Sequence, residues 1–306
     1  MTPATLEELP PAAAADPACP LCRGRGIVVR AEGQIAVSTP CSCIPHCLRC
    51  GDTGRVEIVT DNGLRVGRCR CRIVHDRVLL FNAARVPGRY AAADLASFSA
   101  GAQRIHKEWQ AETGRYDRMP QMESFMAVMQ WLSAFDPSKE SRGLVLHGAV
   151  GRGKTHLLIA TLRSLALERG ARVRFIEFSR LLGILREGFG QGRSGANVMA
   201  ELVDVPVLGI DELGKGRLTD WELSVIDELV SRRYNAMKTT LGTTNYIPEA
   251  PTGALSTNLA TAEGAPRQTL GDRIGERAWS RLAEMVDFVE VGGEDYRAFK
   301  KQRMDA

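Results

Sequence analysis

The pattern of apolar and polar positions divides the chain into a first region of short β runs and a second region in which strands and helices alternate. Residues 26–40 and 54–68 each contain two short β-type runs that are separated by a turn, at Glu32-Gly33 and at Asn62-Gly63. Asn-Gly between two such runs is a strong hairpin signal. We therefore predict two successive β-hairpins in the first region.

The second region alternates between apolar runs and segments with helical spacing. The apolar runs, which predict buried strands, lie at residues 143–147, 171–178, 205–210 and 239–245. The segments with helical spacing lie at residues 155–170, 179–189 and 219–237. Helices that separate successive strands are typical of a parallel sheet, so we predict an α/β fold here.

Helical spacing at residues 72–89 and 122–135 connects the two regions, and Asp136-Pro137 ends the second of these helices. The predicted divisions are a disordered N-terminus at 1–18, tandem hairpin repeats at 19–72, a helical linker at 73–140 and the α/β domain at 141–306. Residues 250–268 are rich in Ala, Thr and Gly, and we also expect them to be disordered.

Length and composition exclude several classes of protein. The 306 residues leave room for about two domains. With 44% hydrophobic and 25% charged residues, the chain is neither membrane-embedded, collagen-like nor wholly disordered. No apolar run approaches the ~20 residues that cross a bilayer, and the first residues lack the basic and apolar parts of a secretory signal. We expect a cytoplasmic protein without a membrane partner, whose cysteines stay reduced.

All eight cysteines belong to one repeated pattern, C-x₂-C-x₁₈-C-x-C, and each cysteine of the first set returns 28 positions later. The first set is Cys19, Cys22, Cys41 and Cys43, and the second set is Cys47, Cys50, Cys69 and Cys71. A hairpin between the two pairs of a set brings four thiolates around one tetrahedral ion, which is the coordination of structural zinc. We predict two Zn²⁺ per chain, which provide much of the folding free energy of such small units.

Three other readings of the cysteines remain open. The thiols can be free of metal, they can hold iron–sulfur clusters, or the zinc ligands can pair across the two repeats.

The formal net charge of +4 would fall to about zero if eight thiolates held two Zn²⁺, so the overall charge gives weak support for nucleic-acid binding.

A G-x-x-x-x-G-K-[ST] motif follows the strand at 143–147 and opens a helix, which is the context that a P-loop requires. Its residues, with the histidine that follows, are the predicted nucleotide contacts: Gly148, Ala149, Val150, Gly151, Arg152, Gly153, Lys154, Thr155 and His156. Backbone N–H groups and the helix N-terminus favour phosphate. Lys154 would hold the β- and γ-phosphates, and the Thr155 hydroxyl would bind Mg²⁺.

An acidic pair follows the strand at 205–210, where Asp211 and Glu212 match a Walker B element. We predict that Asp211 holds Mg²⁺ through water and that Glu212 polarises the hydrolytic water. The strand at 239–245 ends in Asn245, our candidate for a polar side chain near the γ-phosphate, with Thr244 second. The alternative is that Asn245 only opens a turn.

A last helix is predicted at Thr269–Met285, in which Arg277 and Arg281 lie four positions apart and therefore on one face. Two arginines on one helix face are most often a solvated surface. Spacing alone does not assign them a function.

The motifs together resemble the DnaC/DnaI-type helicase loaders and the related IstB transposition ATPases, within the AAA+ class. The segments that carry the resemblance are GAVGRGKTHLL, LGIDELG, TTNY, LGDRIGERAWSRLAEM and EDYR, in this order, and the resemblance covers about residues 79–304. It implies a five-stranded parallel AAA+ sheet, ATP hydrolysis and self-assembly through the ATPase core. By the match to the family, Arg281 is the arginine finger that enters a neighbouring subunit and Arg297 is the sensor-2 residue.

The resemblance also implies a function. The chain would be an ATP-dependent loader that remodels a hexameric replicative helicase on single-stranded DNA, with the N-terminal region binding the helicase. Two alternatives remain: an IstB-like partner of a transposase, and a DNA-binding zinc protein with a regulatory nucleotide site. Intact Lys154, Thr155, Asp211 and Glu212 argue against the last one.

Overall fold

The computed structural model describes seven stretches of the chain: residues 15–60, 63–113, 119–137, 139–189, 194–217, 219–248 and 268–297. The chain forms two compact units, which we call the cysteine unit (residues 1–92 and 166–170) and the P-loop unit (residues 93–165 and 171–306). Residues 1–14 and 250–267, where we expect disorder, lie outside the described stretches. The four-part division drawn from the sequence stays a prediction.

The cysteine unit contains the two predicted hairpins. They are formed by β1 (Ile27–Glu32) with β2 (Ile35–Pro40), and by β3 (Arg55–Thr60) with β4 (Gly63–Arg68). Both pairs are antiparallel and have the same register, since Glu32 pairs with Ile35 and Thr60 pairs with Gly63. The sequence repeat of 28 residues is therefore also a repeat of the backbone.

A helix, α1 (Arg72–Ala83), follows the last cysteine and buries Val78 and Phe81. It packs on the first hairpin, where the Ser38 hydroxyl donates to the Val78 carbonyl oxygen at 3.2 Å. The chain then continues into a 3₁₀ turn at Gly88–Tyr90. The helix that the sequence predicts at 72–89 is thus shorter, because the backbone leaves it before Val86-Pro87-Gly88.

The P-loop unit is built on a five-stranded parallel sheet in the order β6-β7-β8-β5-β9, which confirms the predicted α/β fold class. Its strands are β5 (Gly143–His147), β6 (Val173–Glu177), β7 (Val207–Asp211), β8 (Thr239–Thr244) and β9 (Val286–Glu290). Its helices are α2 (Leu95–Thr113), α3 (Pro120–Ala134), α4 (Lys154–Leu167), α5 (Phe178–Phe189), α6 (Ser194–Asp204), α7 (Asp220–Asn235), α8 (Leu270–Ile274) and α9 (Glu276–Met285). None of the described helices is long and apolar enough to cross a membrane.

Two helices differ from the sequence prediction in a way that matters for the site. Residues 95–113 of the predicted helical linker form α2, a helix for which the sequence analysis gave no bounds. The single helix predicted at Thr269–Met285 is divided into α8 and α9, because Gly275 between them has a φ of +81°. That angle is open to glycine and strained for residues with a side chain.

The core of the P-loop unit includes an arginine. Arg233 on α7 is 1% exposed and donates to the carbonyl oxygens of Leu202 at 2.6 Å, Val205 at 2.9 Å and Thr239 at 2.5 Å. Its Nε donates to the Thr240 hydroxyl at 3.0 Å. Burial lowers the pKa of Arg233 to about 9. The guanidinium satisfies carbonyl groups at the end of α6, which would otherwise be buried without donors.

Candidate nucleotide-binding site and metal centres

The predicted P-loop runs from the end of β5 to the second residue of α4. Lys154 is nearly buried, and its Nζ donates to the carbonyl oxygens of Gly148 at 2.8 Å and Ala149 at 2.7 Å. A side chain at Gly148, where φ is +137°, would lie 2.6 Å from the Val291 carbonyl oxygen. Burial, with repulsion from Arg152, lowers the pKa of Lys154 to about 8. The loop therefore encloses the ammonium group of Lys154.

The carboxylate of Asp211, at the end of β7, lies beside this loop. It is 2% exposed and accepts hydrogen bonds from the Thr155 hydroxyl at 2.9 Å and the Thr243 hydroxyl at 2.6 Å. Burial raises the pKa of Asp211, and the two hydroxyl donors oppose that shift. A hydroxyl and a carboxylate in contact are oxygen ligands of the kind that Mg²⁺ prefers, so the residues present fit this ion.

Glu212 follows Asp211 in a left-handed backbone conformation, with a φ of +57°. Its N–H donates to the Thr243 hydroxyl oxygen at 3.0 Å, and its carboxylate accepts from Lys215 Nζ at 2.5 Å. Thr243 therefore connects both acidic residues, since its hydroxyl donates to Asp211 and accepts from Glu212. The structure places the Glu212 carboxylate next to a cation on the same loop.

Thr243 is the site residue that the sequence reasoning missed. Asn245, the predicted candidate, is exposed, and Thr244 donates to the Leu213 carbonyl oxygen at 2.9 Å. The signal that could have found Thr243 is strand register. Because Ile210 pairs with Gly242 across β7 and β8, the following residues, Asp211 and Thr243, come to lie side by side.

Two other segments of the P-loop unit lie against the loop. The Tyr296 N–H donates to the Gly151 carbonyl oxygen at 3.1 Å, and the charge of Arg297 contributes to the lowered pKa of Lys154. On another side, His156 Nε2 lies 3.0 Å from the Ser97 hydroxyl oxygen at the start of α2. The structure therefore brings Arg297 near the P-loop, whereas His156 faces α2.

The remaining P-loop side chains lie outside this cluster of contacts. Val150 is 58% exposed, and Arg152 lies 3.9 Å from the Glu290 carboxylate. Gly153 has a φ of +92°, and a side chain there would lie 3.0 Å from the Phe98 ring.

Arg281 on α9 makes its contacts elsewhere in the P-loop unit. Its guanidinium lies 3.6 Å from the Asp227 carboxylate on α7 and donates to the Arg277 carbonyl oxygen at 3.1 Å. In the part of the chain that the structure describes, these contacts do not include a P-loop residue. Arg281 is thus not brought to the nucleotide site of its own chain.

The cysteines form two local tetrads, within each of which the four sulfur atoms lie within 4.8 Å of one another. The Sγ atoms of Cys19 and Cys41 are 3.7 Å apart, and those of Cys22 and Cys43 are 3.5 Å apart. The second repeat has the same pairs, since Cys47 and Cys69 are 3.7 Å apart and Cys50 and Cys71 are 3.4 Å apart.

These distances allow a test of the predicted metal. A tetrahedral ion with Zn–S bonds of about 2.3 Å requires S···S separations of about 3.8 Å. The tetrads are near that size, and each lies within one repeat, so the residues fit one zinc ion per repeat. At Cys22, burial disfavours the thiolate, but hydrogen bonds from the Gly26 backbone and neighbouring thiols outweigh it and lower the pKa to about 7.

The fold and the site define a P-loop ATP-binding protein with an AAA+ type sheet. The sequence profile of the IstB-like ATP-binding proteins matches residues 116–306. The chain belongs to this family.

The relatives include proteins of two biological roles. The replicative helicase loader DnaC of Escherichia coli K12 is 28% identical over 157 residues, which cover 51% of this chain and 63% of that protein. A putative ATP-binding protein in an insertion sequence of Mycobacterium tuberculosis is 32% identical over 123 residues, which cover 40% of this chain and 46% of that protein. The chain thus spans less than two thirds of the length of these curated relatives.

Among solved structures, the crystal structure of the DnaC helicase loader is similar to this chain, with a TM-score of 0.51 and 26% identity. The similarity covers 67% of this chain and 99% of that structure. The predicted resemblance to DnaC-type AAA+ loaders is therefore confirmed.

Proposed function

We propose that the chain is an ATP-dependent helicase loader that acts in DNA replication, where it binds and remodels a hexameric helicase and places it on single-stranded DNA. The observation that carries this proposal is the structural similarity to the DnaC helicase loader, which extends over nearly all of that structure. Because the sequence match with curated DnaC spans less of that protein, the helicase and the DNA are inferred partners.

The contacts around the P-loop support binding and hydrolysis of ATP. Lys154 and the loop of residues 148–153 would bind the phosphates, which replace the carbonyl oxygens that Lys154 contacts now. Thr155 and Asp211 would hold Mg²⁺, which neutralises charge on the phosphates when bound. Thr243 positions the Asp211 carboxylate for this role, since it donates a hydrogen bond to it.

Glu212 is our candidate for the group that orients the attacking water and accepts its proton. In this structure the Glu212 carboxylate is paired with Lys215, so it has to leave that partner to reach water at the phosphates. Asn245 stays our candidate for a contact with the terminal phosphate, and Arg297 for a contact with nucleotide in its own chain.

The location of Arg281 supports self-assembly through the P-loop unit. Its contacts with Asp227 and with the Arg277 backbone keep it on the surface formed by α7 and α9. From there Arg281 would enter the nucleotide site of an adjacent subunit and stabilise charge on the transferred phosphoryl group.

The two tetrads would each hold one Zn²⁺, which supplies fixed tetrahedral geometry to the hairpins when bound. We assign the binding of the helicase to this cysteine unit. Its cysteines have a structural role and take no part in hydrolysis.

A second candidate function is that of an ATPase partner of a transposase. The relative that supports it is the putative ATP-binding protein in an insertion sequence, which has the higher identity over a shorter stretch. Both candidates use the same ATP site, so only the partner separates them.

Capture experiments with purified partners test this choice. The full chain is immobilised with ATP and offered the hexameric replicative helicase or an insertion-sequence transposase, with Lys154→Ala as the variant that cannot bind ATP tightly. Retention of the helicase by the wild-type chain supports the loader. Retention of the transposase alone would replace the loader with the second candidate.

A further inference from the structure

The two cysteine repeats have the same fold, yet their hairpins have different surroundings. Positions 28 residues apart are equivalent, so Ala36 and Ser38 on β2 correspond to Leu64 and Val66 on β4. The equivalence extends to the hydrogen bonds that close each repeat, since the Cys41 N–H donates to Gly26 and the Cys69 N–H donates to Gly54, both at 2.9 Å. What surrounds the first hairpin is therefore a template for the second.

In the first hairpin the outer edge of β2 is occupied by a later segment of the same chain. The Ala36 N–H donates to the Val86 carbonyl oxygen at 2.8 Å, and the Gly88 N–H donates to the Gln34 carbonyl oxygen at 2.8 Å. Ile35 and Pro87 form an antiparallel bridge. An extended segment thus adds to this hairpin as a short third strand.

The side chain of Asn82 extends this pairing along β2. The Ser38 N–H donates to Asn82 Oδ1 at 2.7 Å, and Asn82 Nδ2 donates to the Ser38 carbonyl oxygen at 3.0 Å. As a result, Ala36 and Ser38 are each 1% exposed. Both backbone and side chains of this edge are covered.

The equivalent edge of β4 is open. Because the registers agree, Leu64 and Val66 direct their backbone N–H groups away from β3, as Ala36 and Ser38 do from β1. In the described part of the chain nothing accepts these hydrogen bonds. Leu64 and Val66 are 65% and 70% exposed, and Val59, which lies opposite Leu64, is 76% exposed.

The exposed apolar residues are not the solvent face of an ordinary hairpin. A two-stranded ribbon with one covered face carries polar residues on the other. On the opposite face Ile58 packs against Gly67, and Arg65 is exposed there beside Ile58. Large apolar side chains on an unpaired edge strand are a site for the addition of another strand.

The charges on the hairpin select the kind of strand. Arg55 and Arg65 are exposed and have no acidic partner in the described part of the chain, and Glu57 is the one acidic residue of β3 and β4. Pairing of β4 with β4 of a second copy, in the register that sets Leu64 of each copy opposite Val66 of the other, would place Arg65 opposite Arg65, and like charges in that position are destabilising. The hairpin therefore favours an acidic occupant over a second copy.

We propose that the outer edge of β4 is a docking site for an extended segment of a partner protein, in which acidic and apolar residues alternate. The segment pairs antiparallel with Leu64 and Val66, as residues 86–88 pair with β2. Its apolar side chains cover Val59, Leu64 and Val66, and its acidic side chains lie on the other face, beside Arg65. This inference does not depend on the identity of the proposed partner.

The test uses the full zinc-loaded chain and two synthetic octapeptides, one of alternating Glu and Val and one of alternating Lys and Val. Amide exchange and chemical shifts are measured by site-resolved NMR. The Glu–Val peptide is expected to slow exchange at Leu64 and Val66 and to shift their resonances, while Ala36 and Ser38 stay unchanged. The Lys–Val peptide is expected to do neither.

Two variants test the backbone hydrogen bond and the side-chain surface separately. Val66→Pro removes the outward N–H, which an edge strand tolerates, and is expected to abolish the response at Leu64. Val66→Glu keeps the N–H but replaces an apolar side chain with a negative charge, so it is expected to weaken the response to the Glu–Val peptide. Two zinc ions per chain and unchanged Ile58 resonances verify that each variant is folded.

Several results would overturn the proposal. Equal responses to both peptides, or no response to either, would rule out an acidic strand as the occupant of this edge. Slow exchange at Leu64 and Val66 in the chain alone would show that the edge is already occupied, by a second copy if it increases with concentration and by the same chain if it does not. A response to a single-stranded oligonucleotide alone would assign the edge to nucleic acid.

Discussion

The two units of this protein differ in what stabilises each of them internally. In the P-loop unit a continuous apolar cluster joins the helices to the sheet, with Leu202, Leu208 and Leu229 fully buried. In the cysteine unit the hydrophobic cluster around the first tetrad consists of the ligand candidates Cys19, Cys22 and Cys41 themselves. Side-chain packing specifies the P-loop unit, whereas we propose that the hairpins of the cysteine unit depend on the geometry of a metal site.

The largest expected effect comes from removing the metal. A chelator should unfold both hairpins, because structural zinc contributes about 10–16 kcal/mol per site in small domains, while the P-loop unit should still bind ATP. Elemental analysis should find two zinc ions per chain, and Cys22→Ser should lose one of them. Hairpins that stay folded without metal would contradict the claim that the cysteine unit needs metal to fold. Loss of both ions in Cys22→Ser would show that the two repeats share ligands.

The next effect concerns hydrolysis by the P-loop unit. Arg281→Ala should lower the ATPase rate by about 10³–10⁵-fold, the range for arginine fingers, with both zinc ions retained. Mixing Arg281→Ala with Lys154→Ala protein should restore activity, since one interface then combines an intact site with an intact finger. Arg297→Ala should not be rescued in this way.

The mixing experiment also shows whether Arg281 acts on a neighbouring subunit. If Arg281→Ala protein assembles normally and stays inactive in every mixture, Arg281 does not act on a neighbouring subunit.

A smaller effect is expected on the stability of the P-loop unit alone. Arg233→Met should lower the free energy of unfolding by about 3–5 kcal/mol, because it leaves several buried carbonyl groups without donors. The neighbouring Arg232, which pairs with Glu228 at 3.1 Å on the surface, is the matched control. Arg232→Met should change the stability by less than about 0.5 kcal/mol.

Urea unfolding followed by tryptophan fluorescence measures both variants, and zinc content reports on the cysteine unit. A loss of zinc in Arg233→Met would show that the units do not fold by separate means. Equal stability of the two variants would remove the structural role of Arg233.

The smallest effect tests the residue that positions Asp211. Thr243→Val removes the hydroxyl with little change in volume, and it should lower kcat by roughly 5–30-fold, as expected for the loss of about 1–2 kcal/mol. The Mg²⁺ concentration for half-maximal rate should rise, whereas Thr243→Ser should behave as the wild type. A normal Mg²⁺ dependence in Thr243→Val would limit Thr243 to a structural role.

The same comparison explains which features the sequence could predict. The hairpins and the P-loop depend on residues close together in the chain, so their spacing indicates them directly. The role of Thr243 beside Asp211 depends on the register of two strands that are 27 residues apart in sequence, and a linear pattern does not contain that register. The packing of α1 on the first hairpin was also not predicted, because its contact between Ser38 and Asn82 joins residues that are distant in sequence.

The break in the last predicted helix has a local cause that the periodicity concealed. The apolar positions of α8 and α9 continue one helical pattern across Gly275, and only the positive φ of this glycine separates the two helices. A glycine within a helical pattern can either be tolerated or end the helix. Composition alone therefore did not decide whether the helix continues through Gly275.

The central claim, that the chain loads a helicase, is tested most directly on closed circular single-stranded DNA. A circle has no ends, so a hexameric ring encircles it only after the ring has opened. The assay measures helicase unwinding of an oligonucleotide annealed to the circle, with wild-type chain or Lys154→Ala and ATP. We predict that the wild-type chain increases unwinding and that Lys154→Ala does not. Unwinding that is the same with and without the wild-type chain would contradict the account.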